Sequence, residues 1–299
     1  MKIHEFSQRF PDETSCKIHF KSVRENEGII CKNCSGTRHY WLKSKWQWQC
    51  ANCRFRTTLR SGTIMESAKL SFYKWYLCMA YMIGTKKGIS ATEMQRQLGH
   101  KRYRTVWVMM HKIRSGMGKR DGKYLLEGTI ELDEGYFEVA TPSDTVLKRG
   151  RGSQSKKNVS VMAESTPLED LKSGKKSSHF RYAKMKVLDS HESADINKVV
   201  AENIEPQALI ITDKSTSYED FSALFDTHVS FKSDAKTTKT TLKWVHITIS
   251  NARRNLLGVY HMMNRKYLQN YLNEFCYRLN RRYFGERLFD RMTIAIVGN

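Results

Sequence analysis

With 299 residues, 40% of them hydrophobic, the chain is long enough for about two domains and apolar enough to fill a core, which excludes wholesale disorder. Lys and Arg total 51 against 30 acidic residues, and the resulting charge of +21 favours a polyanionic partner, nucleic acid before an anionic membrane. No apolar run approaches the roughly 18 residues of a membrane span, and the polar start MKIHEFSQRFPDETSCK is unlike a secretory leader, so a soluble cytoplasmic protein is expected.

Taken in chain order, the first segment (1–65) is short, weakly periodic and rich in Cys and Trp. Cys31-Lys-Asn-Cys34 and Cys50-Ala-Asn-Cys53 form two CxxC pairs with fifteen residues between them. Each pair suits a knuckle turn, and four thiolates close a tetrahedral structural Zn²⁺ site with no position open for catalysis. Free or redox-active thiols are the plainer alternative, and His39 has a spacing that suits neither pair. Between the pairs, HYWLKSKWQWQC alternates aromatic and polar residues, as a small hairpin does. A zinc ribbon with an N-terminal extension is expected.

The second segment (66–120) reads as helical. LSFYKWYLCMAYMIG is apolar all round and suits a buried helix. SATEMQRQLGH offers Ser90 as N-cap with Glu93 three positions on, the pattern of a capping box. A Gly-containing turn then leads to RYRTVWVMMHKIRSGM. Its opening residues Lys101, Arg102, Tyr103 and Arg104 stand where a DNA-binding helix-turn-helix makes base-edge and phosphate contacts. An ordinary helical hairpin with a solvated basic face is the plainer alternative.

The third segment (121–299) changes character. GTIELDEGYFEVA, NVSVMAES and FRYAKMKVLDS read as three strands, ADINKVVAENI as a helix, ALIITDKS as a short buried strand and YEDFSALF as a short helix. HVSFKS reads as a fifth strand, with helices following over about 241–257 and 264–283. This is the element order of an RNase H-like α/β domain. Two basic stretches, KRGRGSQSKK and KSGKKSSHFRYAKMK, read as loops or strand ends facing phosphate.

Asp133 lies within the first of these strands and Asp213 ends the short buried one. A carboxylate on an apolar strand is costly to bury unless it is paired or binds a cation, so two of them on adjacent strands suit a divalent ion. Singly, Asp213 could cap the next helix and Asp133 could pair with a nearby base. A nuclease of this architecture draws a third ligand from the helix after the last strand, where Asp234 and Glu274 are poorly placed. His246 lies 33 residues after Asp213 at the start of that helix, and Arg253 follows seven residues on, along the same face. From the residues alone, a core or DNA-facing histidine is the preferred reading of His246.

The strings CKNC…CANC, RSGTIMES, KKGISATEMQRQLG, ELDEGYF, ITDKSTSY and LLGVYHMMNRKYLQNYLNEFCYRLNRRYF run through nearly the whole chain. In them it resembles bacterial insertion-sequence transposases of the ISXO2-like type, related to the Merlin transposons. Such proteins carry a zinc ribbon, a helix-turn-helix and an RNase H-like catalytic domain. Aligned back from GVYH, the family's catalytic Glu falls on His246 and its Lys on Arg253, so the resemblance implies an Asp133, Asp213, His246 triad, with Asn251 as the alternative third ligand. It further implies two Mg²⁺ or Mn²⁺ ions at the triad, with the softer imidazole favouring Mn²⁺. It implies Arg253 and Arg254 on double-stranded DNA, terminal inverted repeats as the bound ends, and target DNA as the acceptor. A homodimer or higher oligomer acting at the nucleoid is expected. A decayed or domesticated transposase that only binds DNA as a regulator, and a nuclease that cuts without joining, are the rival readings.

Overall fold

A computed structural model of the chain describes residues 3–141, 155–169, 176–190, 192–215, 218, 220–232, 234 and 240–298. The chain divides into two compact units, residues 1–120 with 283–299, and residues 121–282.

The first unit opens with α1 (Ile3–Arg9) and α2 (Glu13–Glu27), two helices within the stretch read only as an N-terminal extension. Asp12 starts α2 with a reciprocal cap: its Oδ1 accepts from the Ser15 amide at 2.7 Å, and Ser15 Oγ accepts from the Asp12 amide at 3.3 Å. Only Cys16, Phe20 and Arg24 of α2 are buried, a stripe too narrow to announce itself as an apolar period. A three-stranded antiparallel sheet follows, made of β1 (His39–Leu42), β2 (Gln47–Cys50) and β3 (Arg56–Thr58), with Trp41 paired to Trp48 across the expected hairpin. Then come α3 (Phe72–Gly84), α4 (Ala91–Gln97) and α5 (Tyr103–Gly122).

Ser90 does cap α4, its Oγ accepting from the Glu93 amide at 3.1 Å. The return half of the capping box is not made, because the Glu93 carboxylate accepts instead from Gln97 at 2.7 Å and from Arg96. Gly99 supplies the left-handed turn after α4, at φ +54°.

The final helix, residues 288–297, departs from the expected division, which grouped it with the catalytic segment. It packs on α2 and α3. Its Phe289 ring sits 5.2 Å from Phe10 and 5.3 Å from Tyr76, and Met292 and Ile296 are fully buried. An amphipathic helix goes to whichever apolar face is left uncovered, and here that face belongs to the N-terminal helices.

The second unit is built on β4 (Thr129–Glu138), β5 (Lys156–Glu169), β6 (Lys176–Val187), β7 (Leu209–Asp213) and β8 (Thr227–Phe231). The strand order is β6-β5-β4-β7-β8. The first three strands are antiparallel and β7 and β8 join in parallel, the RNase H-like arrangement expected from the element order. Helices α6 (Ser193–Ala201) and α7 (Phe221–Leu224) cover one face, with Ile130, Leu132, Met162, Ile196 and Phe221 in their core. Helices α8 (Lys243–Tyr260) and α9 (Leu268–Asn280) cover the other, over Phe137, Val161, Met185, Val245, Ile249 and Leu272. The remaining helix of the first unit is α10 (Leu288–Val297).

Of the two basic stretches, residues 148–154 and 172–175 lie outside the described residues. What is described of the second is strand rather than loop. Its Lys184 is buried on β6 and donates to Asn203 at 3.2 Å, so it does not face phosphate.

Candidate metal centres and nucleic-acid interface

β4 is buried on both faces, and its alternation sorts its residues by partner. Ile130 and Leu132 enter the core under α6, while Phe137 enters the core under α8. Glu131, Asp133 and Gly135 share the face of Phe137, because side chains two apart on a strand point the same way.

Glu131 is 4% exposed, and its Oε2 accepts from the backbone amides of Trp244 at 2.6 Å and Val245 at 3.0 Å. These are the second and third amides of α8, whose N-cap, Leu242, has no side-chain acceptor. Burial pushes the Glu131 carboxyl up to about 7, against the pull of the Val245 and Trp244 amides. Two residues on, Asp133 Oδ2 lies 3.5 Å from His246 Nδ1. Asp133 is pushed up to about 6, chiefly by burial and further by the charges of Asp213 and Glu134, while the Glu134 amide, 2.7 Å from Oδ1, and Arg253 pull the other way. A Cβ on Gly135 would stand 3.0 Å from Phe137 and 3.4 Å from Ile249, so the missing side chain lets α8 lie close to the strand one turn after His246.

Asp213 reaches the same place from β7. The β4–β7 ladder pairs Thr129 with Leu209 through Glu131 with Ile211, two residues short of both aspartates, and the Asp213 charge acts on Asp133. Ile211 faces the α8 core, so Asp213 shares that face. Asp213 Oδ1 and His246 Nε2 are both buried without a hydrogen-bond partner. Burial lowers the His246 pKa, opposed by the charge of Asp213. Two carboxylates and an imidazole, with two atoms buried without a partner, are donors of the kind a divalent cation takes. Their ligand atoms are spread more widely than those of the cysteine cluster below, the one compact ligand group among the described residues.

Arg253 is exposed, and its Nε donates to the Tyr136 carbonyl at 3.0 Å while its guanidinium lies 5.7 Å from the Phe137 ring. That anchor leaves the two terminal nitrogens available for the oxygens of a phosphate. Asn251 and Arg254 occupy a different face: Asn251 is exposed, and its Oδ1 accepts from Arg254 at 2.8 Å. Glu274 is buried on α9, where it accepts from Tyr260 and lies 3.7 Å from Arg278.

In the first unit, the thiolates of Cys31, Cys34, Cys50 and Cys53 all lie within 4.8 Å of one another. Cys31 and Cys53 are 3.5 Å apart, as are Cys34 and Cys50, close to the edge of a ZnS₄ tetrahedron. The two knuckles repeat one backbone pattern. Ser35 and Arg54, with φ of 56° and 61°, donate their amides to the carbonyls of Cys31 and Cys50. Gly36 closes the first knuckle, since a Cβ there would meet Asn52 at 3.0 Å and Cys50 Sγ at 3.3 Å. The Cys53 thiol is held down to about 6, chiefly by hydrogen bonding with the Asn33 side chain. His39 stays out of the cluster, its Nδ1 3.0 Å from the Thr37 carbonyl. A groove lined by Trp41, Lys43, Lys45, Gln49 and Arg56 runs beside the ribbon's strands. Lys101, Arg102, Tyr103 and Arg104 are all exposed at the start of α5.

Sequence reasoning missed Glu131, Gly135 and the Tyr136 carbonyl. The one available signal was ELDEG itself, in which an acid, an acid and a glycine alternate along one strand face.

The profile of the ISXO2-like transposase domain matches residues 125–280. No curated protein matches the chain. Similar solved structures include a Mos1 mariner paired-end complex with Mn, at 10% identity over 75% of this chain and 79% of that one, with a TM-score of 0.28. A Mos1 strand transfer complex is 11% identical over 75% and 78%, with a TM-score of 0.27. A pre-cleavage Mos1 transpososome is 8% identical over 75% and 78%, with a TM-score of 0.25. Likeness this distant carries no argument about chemistry. No helix among the described residues is long and apolar enough to cross a membrane.

Proposed function

Since the chain belongs to the ISXO2-like transposase family, in which it is matched over more than half its length, we propose that it cuts DNA at the ends of an insertion sequence and joins the freed ends to target DNA. The observation that carries the chemistry is the approach of Asp133 and His246 to 3.5 Å, with Asp213 on the neighbouring strand close enough for its charge to act on both, and two buried ligand atoms left unpartnered. Asp133, Asp213 and His246 would hold Mg²⁺ or Mn²⁺. Such ions, two in sites of this kind, supply an activated water and stabilise the departing 3′-oxygen.

The chain's own residues do the rest. Arg253, tied to β4 by its Nε, presents its remaining nitrogens to a backbone phosphate beside the carboxylates. Asn251 is engaged with Arg254 on another face, which favours His246 as the third ligand. Neither Ser nor Tyr is required as a nucleophile, because the same site can direct first water and then a 3′-hydroxyl at phosphorus. Lys101 and Arg102 just before α5, with Tyr103 and Arg104 in its first turn and the ribbon stabilised by one Zn²⁺, would read the terminal inverted repeats as a helix-turn-helix does. Two DNA ends call for at least a homodimer, working at the nucleoid.

The test is cleavage and joining of labelled duplexes carrying the element's own terminal repeats, in Mg²⁺ and separately in Mn²⁺. Wild type should cut and join, Asp133→Ala and His246→Ala should lose activity by a hundredfold or more (on the order of the loss from removing a key catalytic group), and Asn251→Ala should retain it. Full activity in His246→Ala would remove it from the triad and return Asn251 to consideration. Wild type that binds ends but never cuts them would make the chain a DNA-binding regulator, and cutting without joining would make it a nuclease.

A further inference from the structure

We propose that Glu131 is a positioning residue for His246: by capping α8 from β4, it sets the imidazole against Asp133. The inference rests on the reading of Asp133, Asp213 and His246 as a metal site.

A cap drawn from within the helix, such as a Ser or Asp at position 242, would satisfy the first amides of α8 without fixing where the helix lies. Position 242 is instead Leu, with no side-chain cap, and the acceptor comes from a different element, residue 131 of β4. One face of β4 therefore meets α8 at three successive points. Glu131 takes the amides of Trp244 and Val245, Asp133 faces His246 at 3.5 Å, and Gly135 gives room to Ile249. His246 follows directly on the residues that Glu131 holds, so a displacement of the first turn moves the imidazole with it. Both hydrogen bonds end on a single oxygen, Oε2, so reach matters here more than charge.

That distinction makes the idea testable with two substitutions of opposite kind. Glu131→Gln keeps the length and one carbonyl acceptor but removes the charge. Glu131→Asp keeps the charge but withdraws the acceptor by one methylene. Mn²⁺ binding to the full zinc-loaded chain, read by calorimetry without DNA, should be unchanged to within about twofold in Glu131→Gln. It should weaken on the order of tenfold in Glu131→Asp, as for other residues that orient a ligand. Hydrogen exchange at the Trp244 and Val245 amides should accelerate in Glu131→Asp and not in Glu131→Gln. In a His246→Ala background, Glu131→Asp should cause no further loss of Mn²⁺ binding, because its effect runs through the imidazole.

The reverse pattern, with Glu131→Gln weak and Glu131→Asp like wild type, would overturn the positioning role in favour of plain charge. An undiminished effect of Glu131→Asp in the His246→Ala background would overturn it as well, leaving a general structural role. Should Glu131→Asp fail to fold, Glu131→Asn supplies the shortened acceptor instead: binding lost there and kept in Glu131→Gln supports the proposal, and binding kept in both, or lost in Glu131→Gln, overturns it. A wild-type chain with no His246-dependent Mn²⁺ binding would overturn the metal site itself, and the inference with it.

Discussion

Single residues in this chain are tuned mostly by what surrounds them, and His111 shows it as clearly as the site does. Its ring lies 4.1 Å from that of Trp107, tilted by 47°, it is 6% exposed, and its pKa is lowered to about 3 by burial and by the nearby Arg114 charge. In the unfolded chain the same imidazole takes up a proton below about pH 6.5. Between those values the unfolded state binds more protons than the folded one. Stability is therefore fully present above pH 6.5 and falls as the pH drops, by up to about 1.4 kcal/mol per pH unit from this group. Glu131 and Asp133, with raised pKa values, act in the opposite direction over this range, so the expected outcome is a difference. From pH 7 to pH 5 the stability of His111→Leu relative to wild type, read from denaturant midpoints, should rise with that slope. An identical slope in the variant would mean that other groups carry the acid sensitivity. Asp133 and Asp213 stood out in the sequence because each is an acid on an apolar strand. Glu131 did not, since its role is fixed by a partner more than a hundred residues away in the chain.

Among the elements, the ribbon is the one whose cysteines could hold a metal and tie its folding to one. Its three strands are short, and four thiolates gather at one end within 4.8 Å of one another. So small a sheet has little core of its own, and metal binding then contributes directly to its folding. One Zn²⁺ per chain is expected by elemental analysis, with Cys53→Ser losing it. Trp41 and Trp48, with rings 4.9 Å apart, make the change visible. Chelation should shift tryptophan emission to the red, and a spectrum indifferent to chelator would rule out a structural metal. The ribbon's hairpin was legible because alternating aromatics and the CxxC spacing are local signals. Helices α1 and α10 were not, because each is short and finds its apolar partner in a distant part of the chain.

Across the whole molecule, the last helix belongs with the first unit, and this has a consequence for truncation. Ending the chain after Arg287 would remove Phe289, Met292 and Ile296 from the aromatic core around Phe6, Phe10 and Tyr76. Loss of the buried Phe289 side chain alone is a change of about 3–5 kcal/mol. Hydrogen exchange should then show the 1–120 unit opening while the strands of the 121–282 unit keep their protection. Equal loss of protection in both units would mean that they unfold as one. Basic residues outnumber acidic ones ten to three between 243 and 291. DNA affinity is accordingly expected to fall steeply and linearly on a log scale as salt rises.

By itself, the sequence determined the chemistry on offer. Cysteine spacing defined a four-thiolate set, strand alternation and element order defined an RNase H-like sheet, and acids on apolar strands marked where a cation would be wanted. These are signals carried by residues close together in the chain or by a repeating period. The tertiary structure decided what depends on distance in space. Parallel pairing of β4 and β7 put Asp213 on the strand beside Asp133, the closeness allowed by Gly135 let α8 carry His246 up to Asp133, and Glu131 was turned into that helix's cap. It also decided that the last helix completes the first unit's core. No local pattern encodes such pairings, because a carboxylate's partner or a helix's packing face is chosen by which unsatisfied amide or apolar surface the rest of the fold leaves within reach.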